Sequence, residues 1–364
     1  MRAAPSLPYR RLLNQRIAGA KLGKPEQVVK HFGALQAQDY NQALWAIGLR
    51  MRSATVMDIE QSIEDRKIML TWPMRGTIHF VPPEDARWML KLSAPRVLAK
   101  DKRRLEQLEL TPENIESCKQ IIHDALQGNK RISRPNIMQL LEEAGICTKN
   151  QRGYHLLWHL AQSGLICLGP REGKQQTFVL LDEWVPRPKD VSVSEALALL
   201  AERYFGGHGP ATAKDFGWWA GITLSDARQG IEAAQSRLIS ESVNGEIYWS
   251  SPSECVALEE RPSVCLLPGF DEYLLGYTDR NAVLRAEYAP FIVPGNNGVF
   301  MPIVVIDGQV AGIWKRTVKN KGIDIEISLF VPQKEREESL MDAALQYCTF
   351  MGLPLASTSI QLMK

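Results

Sequence analysis

The sequence predicts an α+β chain: three tandem helix–helix–hairpin units of the winged helix-turn-helix type, then a barrel-like β-rich domain closed by a helix. Two observations carry this. A capped helix, a tight turn, a second helix and a pair of short strands around a glycine recur along the first two thirds of the chain. Beyond about Cys255, helical spacing gives way to short apolar runs separated by turn dipeptides. The expected domains are 1–95, 96–188 and 189–254 for the three units and 255–364 for the β-rich part.

The first unit is the loosest. Helical spacing covers 25–35, 41–51 and 56–63, and 68–81 reads as paired strands. The second is clearer. Ser133 as N-cap and Pro135 in the first turn open a helix that stops at Gly145. A second helix over 154–163, with Leu156, Leu157 and Leu160 on its apolar face, stops at Gly164. Strands at 165–168 and 177–181 then flank a tip at 169–174. In the third unit a helix over 212–219 ends at Gly221, and Thr223 caps another over 224–238. Strands at 239–243 and 247–250 flank Asn244-Gly245, a hairpin-turn pair. Residues 264–277 open the β-rich region, strands follow at 291–293, 300–306, 309–316 and 323–330, and an amphipathic helix over 332–350 closes a small barrel or curled sheet.

With 364 residues, 45% of them apolar and 23% charged, the chain has ordinary globular composition and room for two to four packed cores. No apolar run is long enough for a membrane span. Arg2, Arg10, Arg11 and Arg16 have no apolar segment and cleavage site after them, so no secretory signal is expected. The six cysteines include no Cys-x-x-Cys pair, which speaks against a zinc site or disulfide framework and for a reducing cytoplasm.

The formal charge of +2 hides segregation. Residues 1–52 carry nine basic side chains against Glu26 and Asp39. Lys100-Asp101-Lys102-Arg103-Arg104 forms a second basic cluster, and Lys315, Arg316, Lys319 and Lys321 a third. This is the footprint of a polyanion partner, although such units also serve as protein-binding scaffolds.

The chemistry-bearing segment is Leu35-Gln36-Ala37-Gln38-Asp39, placed at the end of an amphipathic helix. On a helix, residues i and i+2 diverge by about 200°, so both amides can face one group only if the helix ends there. Otherwise they are solvent-facing helix residues. Asp39 either orients a glutamine or water, or caps the following helix. Thr77 and His79 share one strand face near Arg75, where supporting, DNA-contacting and buried structural roles all stand. The loop over 294–298, with Asn296 and Asn297, has no bulky side chain and can approach a DNA backbone closely. His155 and His159 have a metal-ligand spacing without an acidic partner motif and read as a helix face, so no metal is expected. Trp218-Trp219 reads as core, with base stacking the alternative. Asp271 and Glu272, adjacent on an expected strand, would point to opposite sides.

Four segments bring a known family into view: residues 35–39, Thr71-Trp72-Pro73-Met74-Arg75-Gly76-Thr77-Ile78-His79, residues 267–277 from Leu267-Pro268-Gly269-Phe270-Asp271-Glu272 onward, and residues 307–316 ending in Trp314-Lys315-Arg316. On these the chain resembles, over nearly its full length, the AlkZ/YcaQ-like winged-helix DNA glycosylases that unhook interstrand crosslinks. The resemblance implies three tandem winged helices plus a C-terminal β-barrel. It also implies a Gln-aliphatic-Gln motif, here Gln36 and Gln38 about Ala37, that hydrolyses the glycosidic bond of N7-alkylated guanine.

Such a base is already cationic and leaves without a general acid. The enzyme has to place a water at C1′ and stabilise a cationic sugar, and two neutral amides suffice for so activated a substrate. No lysine needs to form a Schiff base, so a monofunctional enzyme that leaves an abasic site is expected, without cofactor. A crosslinked base cannot swing out freely, which favours an open cleft reached from the minor groove. The implied partner is double-stranded DNA with alkylated purines, bound by a cytoplasmic, nucleoid-associated monomer. Asp39, Arg75, Thr77, His79, Asn296, Asn297, Lys315 and Arg316 are the expected supporting or DNA-contacting residues. The alternative is a non-catalytic winged-helix transcriptional regulator, for which the glutamines would be dispensable.

Overall fold

Helix Pro25–Phe32 stops at Gly33, whose φ of 77° ends the helix in the left-handed region. The helix therefore does not continue to Leu35 as its spacing suggests. Leu35–Gln36 instead forms a short strand, β1. In the computed structural model, which describes residues 6–185, 190–252 and 263–363, this early stop decides how the glutamines are presented. Arg2 of the N-terminal basic cluster and Cys255, the expected start of the last domain, lie outside the described residues.

β1 lies antiparallel to His79–Val81 (β3), with Gln36 opposite His79, and β3 pairs in turn with Met69–Thr71 (β2). Leu70 of β2 faces Leu168 of Ile166–Glu172 (β5), which forms a hairpin with Gln175–Leu180 (β6); Ile132–Ser133 (β4) pairs with β6. The result is one six-stranded sheet in the order β1-β3-β2-β5-β6-β4, shared by segments far apart in sequence. Helices Arg134–Glu143 and Arg152–Gln162 precede its β5–β6 hairpin.

A similar order follows downstream. Helices Ala213–Ala220 and Leu224–Ala233 start with reciprocal capping boxes, Thr212 with Asp215 and Thr223 with Asp226. They lead to the hairpin Ile239–Val243 (β7) and Glu246–Ser250 (β8). Its turn residues Asn244 and Gly245 both have positive φ, 51° and 82°, as a type I′ turn requires.

Three long helices have no counterpart in the sequence-based expectation: Pro83–Gln107, Pro112–Leu126 and Val193–His208. The first runs without interruption past Pro95. Its buried residues, Trp88, Met89, Leu90 and Ala94 among them, sit in its first half, and its basic second half gives no amphipathic pattern.

The C-terminal part is an open five-stranded sheet and not a closed barrel. Its strands are Val264–Leu267 (β9), Ile303–Ile306 (β10), Gln309–Lys319 (β11), Gly322–Leu329 (β12) and Leu355–Leu362 (β13), in the order β13-β12-β11-β10-β9. Helix Glu337–Met351 carries the chain over the sheet so that β13 joins β12 in parallel. β13 thus becomes an edge instead of a return partner for β9, and closure is lost. The strand expected at 291–293 is also absent. Helix Ala289–Ile292 and the 3₁₀ turn Pro294–Asn296 stand there, because Pro290 and Pro294 have no N–H to give a ladder.

Aromatic packing joins this sheet to the N-terminal helices. Trp45 lies 5.3 Å from Tyr347 and 5.1 Å from Phe350, ring centre to ring centre, and its indole N–H donates to the Leu266 carbonyl at 2.8 Å. Trp314 likewise donates to the Leu267 carbonyl at 2.7 Å. Each buried aromatic contributes roughly 2–3 kcal/mol of apolar burial. Beside them the Arg50 guanidinium donates to both Asp271 oxygens, at 2.8 and 2.9 Å, and also to Ala46 and Gln15. Arg50 therefore fixes the turn that carries Glu272 against β1.

Candidate active site

Gln36 stands on strand β1 and Gln38 in the bend just after it, so the pair is not helical and no helical divergence has to be overcome. Ala37 continues the ladder beyond β1, its N–H donating to the Ile78 carbonyl at 2.7 Å. The two side chains differ in exposure. Gln36 is 9% exposed, whereas Gln38 is open to solvent.

Each amide is anchored by its oxygen. The Ile78 N–H donates to Gln38 Oε1 at 3.0 Å, and Arg75 Nη2 donates to Gln36 Oε1 at 3.3 Å. A backbone N–H and a guanidinium can only donate, so both carboxamides are turned with oxygen toward the anchor. Each oxygen keeps one lone pair, and each NH₂ group remains a donor.

Arg75 is itself held. It donates to the carbonyls of Trp218 and Trp219, and its guanidinium carbon lies 4.7 Å from the Trp218 ring centre. Burial lowers its pKa, with the Glu272 charge opposing. Behind β1 lies Glu272, only 2% exposed. Its carboxylate accepts from the Gln36 N–H at 3.1 Å, from His208 Nε2 at 3.0 Å and from the Trp219 indole N–H at 2.9 Å. Burial pushes the carboxyl upward, but the His208 hydrogen bond and charge, with the Gln36 amide, outweigh it and hold the pKa below the usual value. Glu272 is therefore an ionised anchor for the strand that bears the glutamines.

The sequence reading gives His208 no role; it names Glu272 as half of a strand pair and Trp219 as core, which its 1% exposure bears out, but neither as a support for the glutamines. Asp271 and Glu272 do not alternate on a strand, because Asp271 caps the short helix Glu272–Leu275. Pro268-Gly269 ahead of an aspartate is a turn-and-cap signal that points to this.

The other expected residues divide. Asp39 caps helix Tyr40–Gly48, accepting from the Gln42 N–H at 3.2 Å, which is one of its two anticipated roles. His79 is buried, 1% exposed, opposite Gln36. Burial first, then the Arg75 charge, lowers its pKa to about 4, so the ring is neutral near pH 7. Nδ1 donates to the Thr77 carbonyl at 2.8 Å, which leaves Nε2 as the unprotonated nitrogen. Thr77 Oγ1 and His79 Nε2 are buried without a protein partner.

Asn296 and Asn297 lie exposed in the turn after helix Ala289–Ile292. Arg280, against both Phe300 at 5.0 Å and Trp218 at 5.4 Å, links that region to Arg75. Lys315 is exposed on β11, and Arg316 lies 5.8 Å from the Tyr347 ring centre. Burial pushes the Tyr347 hydroxyl up to about 12, with the Arg316 charge opposing. His155 pairs with Asp101 at 2.6 Å, and among the described residues no three acidic, histidine or cysteine side chains could hold a metal ion. No described helix is long and apolar enough to cross a membrane.

A family model described as "DNA glycosylase AlkZ-like" matches residues 29–350. The interstrand DNA cross-link repair glycosylase of Streptomyces sahachiroi is 26% identical over 303 residues, covering 79% of this chain and 81% of that one. The solved structure of Streptomyces sahachiroi DNA glycosylase AlkZ matches with a TM-score of 0.81 at 23% identity, over 99% of this chain and 100% of that one, a likeness of fold.

Proposed function

The chain belongs to the AlkZ-like DNA glycosylase family, and from that premise we propose that it hydrolyses the N-glycosidic bond of N7-alkylated purines in duplex DNA, interstrand crosslinks among them. Gln36 and Gln38 place the attacking water. The observation that supports this most is the anchoring of both carboxamides by their oxygens, to Arg75 and to the Ile78 N–H.

An N7-alkylated guanine carries positive charge and departs as a neutral base, so no proton has to be delivered to it. The barrier that remains is the placement of water at C1′ and the charge growing on the sugar. The free lone pair of each amide oxygen accepts from the water, and the NH₂ groups donate to DNA oxygens. Pre-set orientation of this kind is worth several kcal/mol. Arg75 and Glu272 are positioning residues, acting on Gln36 through its side chain and its backbone. A neutral pair stabilises a sugar cation less than a carboxylate would, so bases without activating alkylation are spared. The product is an abasic site, formed without a covalent enzyme intermediate.

Three winged-helix units carry the site along the duplex. Asn296, Asn297, Lys315 and Arg316 serve as contacts to the phosphate backbone and groove, so binding is tolerant of sequence and sensitive to salt. The relative's role in crosslink repair fits a tethered base that stays close to its stack. The test is to incubate the protein with N7-methylguanine duplex and with a crosslinked duplex, then heat. Strand breaks at the lesion are expected. Tight binding to a few sequences with no base release would contradict the proposal and indicate a regulator.

A further inference from the structure

A groove of about 650 Å³ opens beside the glutamines, lined by Arg75, Arg96, Lys100, Trp158 and Trp218 among others. Arg75 is common to both places, since its Nη2 reaches Gln36 Oε1 at 3.3 Å. The two tryptophans are half-buried and held as fixed plates. Trp158 donates its indole N–H to the Gly76 carbonyl at 3.0 Å. The His155 ring backs it at 5.2 Å and 28°, and Asp101 holds His155 in turn at 2.6 Å. Trp218 is held by Arg75 and Arg280 at 4.7 and 5.4 Å. Both indoles pack against the apolar core and also line the groove.

The charge around the groove is graded. Arg96 is largely committed, donating to the Gly221 carbonyl at 3.0 Å and to Asp226 at 2.9 Å. Lys100, four residues on along the same helix, is exposed and makes no ion pair among the described residues. It stands at the head of the basic run Lys100–Arg104. Two fixed indoles beside one uncommitted cation suit a flat π-system attached to a phosphate. Aliphatic groups would not use the indole faces, and a bare anion would not need them.

We propose that this groove is a nucleotide subsite that takes one extrahelical, untethered nucleobase of the bound duplex against Trp158 and Trp218, with its phosphate on Lys100. The inference rests on the glycosylase reading. A crosslinked purine cannot leave the helix, but the pyrimidine opposite has no such tether and loses its partner when the purine departs. Extruding an unpaired base costs less than extruding a paired one. Stacking on an indole offsets part of that cost.

The test uses a duplex with a tetrahydrofuran abasic-site analogue opposite pyrrolocytosine, whose emission reports a change of stacking, so the pyrimidine is unpaired and no base is left to release. Binding by the unaltered protein should change the emission, and Trp158→Ala should abolish the change and weaken binding to a duplex with one bulged base about tenfold. Should Trp158→Ala fold poorly, Lys100→Glu, on an exposed side chain, should weaken binding to the bulged duplex more than to a fully paired one. Emission unchanged on binding, or affinities for bulged and paired duplexes shifted equally by both substitutions, would overturn the subsite. Base release by the unaltered protein from N7-methylguanine duplex is measured separately, so loss of the glycosylase reading is seen independently of the fluorescence.

Discussion

Arg75→Lys separates an orienting role for this residue from a DNA-contacting one. The guanidinium makes a hydrogen bond of 3.3 Å to Gln36 Oε1 and further bonds to the carbonyls of Trp218 and Trp219. An ammonium has no planar fork and cannot serve all three. A charged hydrogen bond is worth about 1.5–3 kcal/mol, and the length of this one puts it at the lower end, about 1.5 kcal/mol. If that energy fixes the Gln36 amide only in the reactive arrangement, single-turnover base release should slow about tenfold. Because the cation is spent inside the protein, DNA affinity should stay within about threefold, with the same dependence on salt. The assays are single-turnover release from N7-methylguanine duplex and fluorescence anisotropy over a salt series, with thermal melting to confirm folding. A salt slope smaller by about one, with release at saturating protein intact, would show that Arg75 holds a phosphate and would refute the reasoning.

Glu272→Gln puts one acceptor oxygen where three N–H donors converge on two, so a buried donor loses its partner. A loss of about 1–3 kcal/mol in unfolding free energy and slower release are expected, and native values for both would contradict the anchoring role. His79 titrates near pH 4 when folded but near 6.5 when unfolded, so the unfolded chain binds more protons between those values. Its contribution is complete above about pH 6.5 and falls as pH drops toward 4, by up to about 3 kcal/mol. Urea midpoints at pH 7 and 4.5 should therefore lie closer together in His79→Asn than in the native protein, and equal gaps would exclude this origin. Lys315→Glu with Arg316→Glu should weaken DNA binding and reduce the salt slope by about two; an unchanged slope would remove β11 from the interface.

Much of the architecture could be read from local chemistry. The Thr223 cap, the Asn244-Gly245 turn and the Gly145 and Gly221 stops act within a few residues, and they bound the elements they were expected to bound. What failed depends on distant partners. β13 joins the C-terminal sheet at its edge because the preceding helix crosses over it, and no local pattern distinguishes this return from barrel closure. Helix Pro83–Gln107 carries apolar burial in one half and charge in the other, so periodicity misses it. At the candidate site, Gln36 and Gln38 stand out as residue types, but their presentation follows from Gly33 ending the helix early. The anchoring carboxylate comes from residue 272, and no window of sequence brings it next to residue 36.

The most direct measurement is single-turnover base release from N7-methylguanine duplex at saturating protein, comparing the native chain with the Gln36→Ala, Gln38→Ala variant. If the two amides direct the water, the variant binds the duplex but releases base at least a hundredfold more slowly, a difference of about 2.7 kcal/mol. Release at the native rate from the bound variant would mean that some other group guides the attack.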